Sequence, residues 1–222
     1  SSPALSLFFA LPGERHDGHR YVDDAYRVGV RNFVVNREIE TAGLPDANIL
    51  LAPDTQAVLQ VLAAYHRAQF HLPVIGITGS NGKTIVKEWL YQLLHRKFNI
   101  VRSPKSYNSQ IGVPLSVWQI RPEHSLGIFE AGISRMGEMA HLEPVIRPDI
   151  GIFTNLGPAH REGFPSDQAK LEEKMRLFDH AKVLVFCADH EAIAKAAQSW
   201  VQLKPGRRLF SWSFDIQSSK FE

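Results

Sequence analysis

PVIGITGSNGKTIVKEWL, residues Pro73–Leu90, joins an apolar, β-branched run to a helical pattern through a glycine-rich turn. Val74-Ile75-Gly76-Ile77-Thr78 reads as a buried strand, and the helix opens near Gly82-Lys83-Thr84. A helix that starts this way points unpaired backbone N–H groups at one spot, where its dipole favours an anion. Gly79 and Gly82 carry no Cβ, so the turn can close around a phosphate. Lys83 can reach the outer phosphates, and the Thr84 hydroxyl can hold a magnesium ion. Ser80 and Asn81 complete the loop. Ile77 stands where the strict phosphate-loop pattern wants a glycine, so the match is to the shorter loop Gly79–Thr84. The repeat Gly76, Gly79, Gly82 also suits a plain strand-to-helix turn. The strand before, the Gly-Lys-Thr within and the helix after favour a nucleoside triphosphate loop.

Around this loop the chain alternates strand and helix. Candidate strands are Ser6–Leu11, Phe33–Val35, Ile49–Ala52, Ile100–Arg102, Leu126–Glu130, Ile150–Thr154 and Val183–Cys187. Candidate helices are Arg20–Val28, with Tyr21, Ala25 and Val28 on one side, and one capped by Asp54 or Thr55 that runs to Phe70, with Val58, Leu59, Leu62 and Tyr65 inward. Further helices are expected after the loop to His95 and over Val113–Ile120, Met136–Ile146, Asp167–Asp179 and His190–Val201, with no element after the last. The alternation predicts an α/β fold with mostly parallel strands and right-handed crossovers. His71-Leu72-Pro73 breaks a helix and sets the expected boundary: a smaller α/β domain over residues 1–72 and a nucleotide-binding domain over 73–222.

The 222 residues correspond to about one and a half domains. At 44% hydrophobic they suffice for a substantial core. The net charge of +2 gives no case for nucleic acid or an anionic membrane as the main partner. No apolar run reaches the ~18 residues of a membrane span. A single cysteine, Cys187, cannot pair internally, and a cytoplasmic protein is the simplest reading. With no initiator Met and a final Lys220-Phe221-Glu222, the chain reads as a piece of a longer protein.

Ligands of such sheets sit beyond the carboxyl ends of the strands. There Glu130 is either a magnesium ligand or a solvated strand-end carboxylate. Asn155 and His160 follow the next strand, and position alone singles out His160 among ten histidines. Lys174 lies among Glu172, Glu173 and Arg176, which by pattern is a solvated helix face.

These residues resemble the Mur ligase family of peptidoglycan synthesis. Thr78–Thr84 (TGSNGKT) is similar to that family's ATP loop. Val86-Lys87-Glu88, residues 107–114 (YNSQIGVP), Phe129-Glu130-Ala131-Gly132, Gly137-Glu138 and residues 159–164 (AHREGF) resemble the branch that adds D-alanyl-D-alanine to UDP-N-acetylmuramoyl-tripeptide. Leu7–Val22 resembles the domain that binds the uridine nucleotide end of the substrate, and residues 103–109 (SPKSYNS) look closest to ligases fused to an alanine racemase in some bacteria.

The resemblance implies ATP, two magnesium ions and an acyl-phosphate route to an amide bond. It implies that Lys83 neutralises the β- and γ-phosphates, that Thr84 and Glu130 bind one magnesium and His160 another, and that Lys174 is carbamylated and serves the metals. It places Asn108 and Asn155 near the γ-phosphate, with Ser109 beside the substrate. The family carries a third, C-terminal domain absent from this sequence, so the expectation is weak ATP binding and little or no ligation. Rival readings are a folylpolyglutamate synthase-like amide ligase, a non-ligating nucleotide switch and a non-catalytic scaffold. Val86-Lys87-Glu88 speaks against the first, the lack of an Asn-Lys-x-Asp guanine motif against the second, and the intact polar set against the third.

Overall fold

The computed structural model describes residues 2–13, 16–157 and 163–214. Contacts divide the chain into two compact units, Ser1–Leu62 and Ala63–Glu222.

The first unit is a small parallel sheet. Strands β1 (Leu7–Phe9), β2 (Asn32–Val35) and β3 (Asn48–Leu51) lie in the order β1-β2-β3. Helix α1 (Val22–Arg27) follows a single 3-10 turn, Gly18–Tyr21. Its core is Ala10, Val22, Phe33, Val35 and Leu44, with Ala25 and Tyr26 packed against it. The expected inward face of this helix is corrected: Tyr21 and Val28 are exposed. The 3-10 turn resets the helical phase, so Val22 takes the inward place.

Helix α2 (Thr55–Ala68) is capped by Asp54, whose Oδ1 accepts from the amides of Gln56 and Ala57. The unit division falls inside this helix, ahead of the boundary expected at 72/73. Ala63 belongs to the core of the second unit, and Arg67 donates to Ile146 O at 3.2 Å. Tyr65, expected inward, is exposed; Leu59, Ala63 and Arg67 form the buried stripe at helical spacing.

The second unit is built on six parallel strands in the order β5-β6-β4-β7-β8-β9. They are β4 (Val74–Thr78), β5 (Ile100–Arg102), β6 (Leu126–Glu130), β7 (Ile150–Phe153), β8 (Val183–Cys187) and β9 (Arg208–Trp212). The α/β class with parallel strands is as the sequence pattern requires. β9 was not expected: it is an exposed edge strand held by pairing with β8, register Val183↔Arg208 to Cys187↔Trp212. Its helices are α3 (Lys83–Leu94), α4 (Gly112–Val117), α5 (Glu138–Ile146), α6 (Asp167–Met175) and α7 (Glu191–Gln202). Val86, Leu90 and Leu94 of α3 pack with Ile75, Ile77, Leu126 and Ile128. A separate core gathers Phe129, Phe153, Leu184 and Phe186 with Val117, Leu142, Leu171 and Ile193.

β4 lies between β6 and β7, where the chain order reverses. The three loops leaving the carboxyl ends of β6, β4 and β7 therefore meet, as at the switch point of an open parallel sheet. Ile77 pairs in register with Glu130, and Thr78 with Phe153.

Candidate nucleotide-binding site

Every residue of β4 is buried, so the turn that follows starts from a fixed point. Gly79 has φ +143°, and a Cβ there would lie 2.0 Å from Thr154 Oγ1. Gly82 caps α3 in the left-handed region, φ 81° and ψ −6°. Both positions require glycine. The residues after β7 brace the loop. Ser80 N donates to Asn155 O at 2.8 Å and Asn81 N to Asn155 Oδ1 at 3.0 Å. Thr154 Oγ1 donates to Asn81 O at 2.6 Å, and Gly157 N to Ser80 Oγ at 2.9 Å. These bonds hold the loop open toward the first turn of α3, whose leading N–H groups have no partner within the helix. Asn155, expected to line the phosphate site, is thus also a brace of the loop.

Glu130, at the tip of β6, is fully buried. Thr84 Oγ1 donates to its Oε2 at 3.0 Å, and Asn108 Nδ2 lies 3.5 Å from the same oxygen. Its Oε1 stands 2.9 Å from Lys87 Nζ as an ion pair and accepts no well-directed hydrogen bond. Glu130 is thus no solvated strand-end carboxylate. The donor set suits magnesium. Adjacent ligands of an octahedral ion with bonds of 2.0–2.1 Å are about 2.9 Å apart, close to the Thr84–Glu130 separation. Among the described residues no group of three or more His, Cys, Asp or Glu could hold a metal. A hydroxyl and one carboxylate, completed by phosphate oxygens and water, is an ordinary magnesium environment.

Three lysines flank the loop. Lys83 Nζ donates to Gly79 O at 2.9 Å and lies 3.5 Å from Ser80 O. Burial lowers its pKa while the Glu130 charge raises it. Lys174, read by pattern as part of a solvated face, is only 2% exposed, and its Nζ donates to Gly79 O at 3.3 Å. Burial, with the nearby charges of Lys83 and Lys170, brings its pKa down to about 7. The bland expectation fails because α6 turns its polar side inward: Lys170, Leu171, Glu173 and Lys174 are its buried residues. Leu171 packs in the apolar core, whereas the three polar side chains reach main-chain groups. Lys170 Nζ donates to Gly157 O at 2.6 Å, and Glu173 Oε1 accepts from Met139 N at 2.9 Å.

The fold thus gathers Gly79, Ser80, Asn81, Gly82, Lys83, Thr84, Asn108, Glu130, Asn155 and Lys174. Ser109, expected beside the substrate, has its Oγ accepting from Gly112 N at 3.1 Å at the start of α4. His160 lies outside the described residues. Lys87, Ser103 and Lys170 carried no role in the sequence reading. For Lys87 a signal was present: it follows Lys83 by four positions and Thr84 by three, so all three share one helix face.

Residues 77–221 match the profile of the Mur ligase middle domain. The UDP-N-acetylmuramoyl-tripeptide--D-alanyl-D-alanine ligase of Synechocystis sp. is 34% identical over 201 residues, which are 89% of this chain and 44% of that protein. A crystal structure of MurF from Acinetobacter baumannii superposes with a TM-score of 0.83 at 28% identity, covering 93% of this chain and 45% of that one. MurF from Thermotoga maritima in complex with ADP gives 0.81 at 29% identity, covering 95% of this chain and 48% of that one. The chain spans less than half the length of these relatives. A profile match over most of the second unit, on a glycine loop and a Thr84–Glu130 pair arranged as nucleotide chemistry requires, establishes that the chain belongs to the Mur ligase family.

Proposed function

We propose that this chain supplies the ATP site and part of the substrate site of a ligase that joins D-alanyl-D-alanine to UDP-N-acetylmuramoyl-tripeptide. The observation that carries the reading is the convergence of the Gly79–Thr84 loop, the Thr84–Glu130 pair and the buried Lys174 at the carboxyl ends of β4 and β6. The relatives named for this activity supply the substrates, and the ADP complex of the Thermotoga maritima protein supports ATP as the nucleotide. Residues 1–72 take the uridine-nucleotide end, and 73–222 the triphosphate.

In this reading a peptide carboxylate attacks the γ-phosphorus of ATP, ADP leaves, and an acyl phosphate forms. The amine of D-alanyl-D-alanine then attacks that carbonyl, phosphate leaves, and the amide nitrogen gives up a proton. Activation is needed because a free carboxylate has no adequate leaving group at neutral pH. The chain's own residues position groups and balance charge. The first-turn amides of α3 bind the phosphates, and Lys83 neutralises their outer oxygens. Thr84 and Glu130 would hold a magnesium ion, which would supply charge screening between the two anions.

His160 and Lys174 serve a second ion in the same reading. An ammonium at Lys174 would repel a metal. A neutral amine can instead add to carbon dioxide, losing a proton, to give a carbamate with metal-binding oxygens. Burial supports this by bringing the Lys174 pKa down to about 7. Chemistry that spends ATP on a nucleotide-linked precursor belongs in the cytoplasm. The racemase fusion rests on the wording of residues 103–109 alone.

The test is phosphate release by the full-length protein. Release that requires both the tripeptide nucleotide and D-alanyl-D-alanine supports the ligase. Equal release without any carboxylate substrate overturns it.

A further inference from the structure

Lys87 has no part in the chemistry described above, yet it is fully buried beside it. Its ammonium is surrounded. Nζ donates to Ser103 O at 2.8 Å and to Lys105 O, and lies 2.9 Å from Glu130 Oε1 and 3.2 Å from Glu88 Oε1. Arg102 holds Glu88 from the other side, with NH2 3.2 Å from Oε2. The 103–105 turn is tied back to β6, since Glu130 N donates to Ser103 Oγ at 3.1 Å and Ser103 N to Ile128 O at 3.1 Å. Lys105 within that turn adopts φ +50°, a conformation that a lysine does not favour. Three residues on, Asn108 reaches Glu130 Oε2.

The two oxygens of Glu130 therefore have different neighbours. Among the described residues Oε1 has the Lys87 ammonium as its ion-pair partner and no hydrogen bond, whereas Oε2 faces Thr84 Oγ1 and Asn108 Nδ2. A buried cation with this many carbonyl and carboxylate partners is not free to leave. It fixes which oxygen of the carboxylate points toward the loop.

We propose that Lys87 is a positioning residue of the magnesium site: it holds Glu130 Oε1 and the 103–105 turn, so that Oε2 is the oxygen offered with Thr84 to the ion. This rests on the reading of Thr84 and Glu130 as a magnesium pair. Lys87 touches neither nucleotide nor metal and acts through Glu130. Supporting residues of this kind are worth about 10–100-fold in metal affinity.

The experiment measures affinity of the full chain for a fluorescent ATP analogue, once with saturating magnesium and once with EDTA. Magnesium tightens binding to the unaltered protein. In Lys87→Met that tightening falls by about tenfold or more, while affinity in EDTA stays within about threefold, less than a typical hydrogen bond contributes. A merely structural role would weaken both measurements alike, and an unchanged magnesium effect would likewise overturn the proposal. Should Lys87→Met not fold, the unaltered protein decides, in a crystal structure with magnesium and a non-hydrolysable ATP analogue. The ion on Oε2 with Lys87 still on Oε1 supports the role, and the ion on Oε1 or a displaced Lys87 overturns it. If the unaltered protein binds the analogue no tighter with magnesium than with EDTA, the magnesium pair itself fails, and the role of Lys87 with it.

Discussion

The two ends of the six-stranded sheet both bury cations, and they do so differently. Near the amino ends, Arg67 points its protons at three main-chain carbonyls: Ile146 O at 3.2 Å, Phe70 O at 2.8 Å and Leu72 O at 3.5 Å. Its charge is spent on closing the loop after α2. At the carboxyl ends, Lys83 and Lys174 both lean on the carbonyl of Gly79, and among the described residues Ser80 O is the one further acceptor for Lys83. An ammonium has three protons to place, so among the described residues these two have fewer acceptors than protons. Burial lowers the pKa at both ends. Among the described residues the two ends differ in the number of fixed acceptors each cation has, not in burial.

The contrast breaks most sharply at Lys174. In the ligase proposed above Lys174→Ala should lower ligation by about a hundred- to a thousandfold, as loss of one preorganised electrostatic group does, and a small carboxylic acid should restore part of it. An alanine variant as active as the parent removes Lys174 from the mechanism. A pair of variants then sharpens the comparison. Lys83→Met should weaken ATP binding by about a hundredfold, on the order of 2–3 kcal/mol for a lost charge-assisted contact, with the melting temperature little changed. Arg67→Met should do the reverse. It should lose roughly 1–3 kcal/mol of stability through unsatisfied buried carbonyls, with ATP affinity of the folded protein unchanged. Titration calorimetry and thermal melts on both variants decide whether the two ends differ as described.

The last effect is a pH dependence. As the free amine, before any carbamate forms, Lys174 has a folded pKa of about 7 against an ordinary value of 10.5 and so holds fewer protons folded than unfolded between those limits. Stability therefore rises with pH across that window. Below pH 7 the cost of the buried amine is complete, and toward pH 10.5 it is relieved. Lys174→Met should thus stabilise the protein near pH 7 by on the order of a few kcal/mol at most, with the gain shrinking toward pH 10. A gain that grows with pH contradicts the assignment.

The strand, loop and helix over Val74–Leu94 were legible because their causes are local. Glycines at Gly79 and Gly82 sit where the backbone demands them, and Asp54 caps α2 as its type suggests. Elements whose causes are distant were not. β9 carries no alternation and exists because β8 offers it a ladder. α6 reads as solvated because Lys170, Glu173 and Lys174 are among its inward side chains, and no pattern of polarity reveals that. Lys87 was visible only as part of a family signature until Glu130 came beside it.

By itself the sequence determined the order of strands and helices as far as α7, the phosphate-binding turn and the family, since these depend on neighbours within a few residues or on ordered motifs along the chain. Only the tertiary structure decided that Glu130 is buried between a hydroxyl and an ammonium, that Lys174 is desolvated, and that β6 and β7 flank β4. Dielectric surroundings and strand order arise from residues brought together across the fold, and a linear pattern carries no record of them.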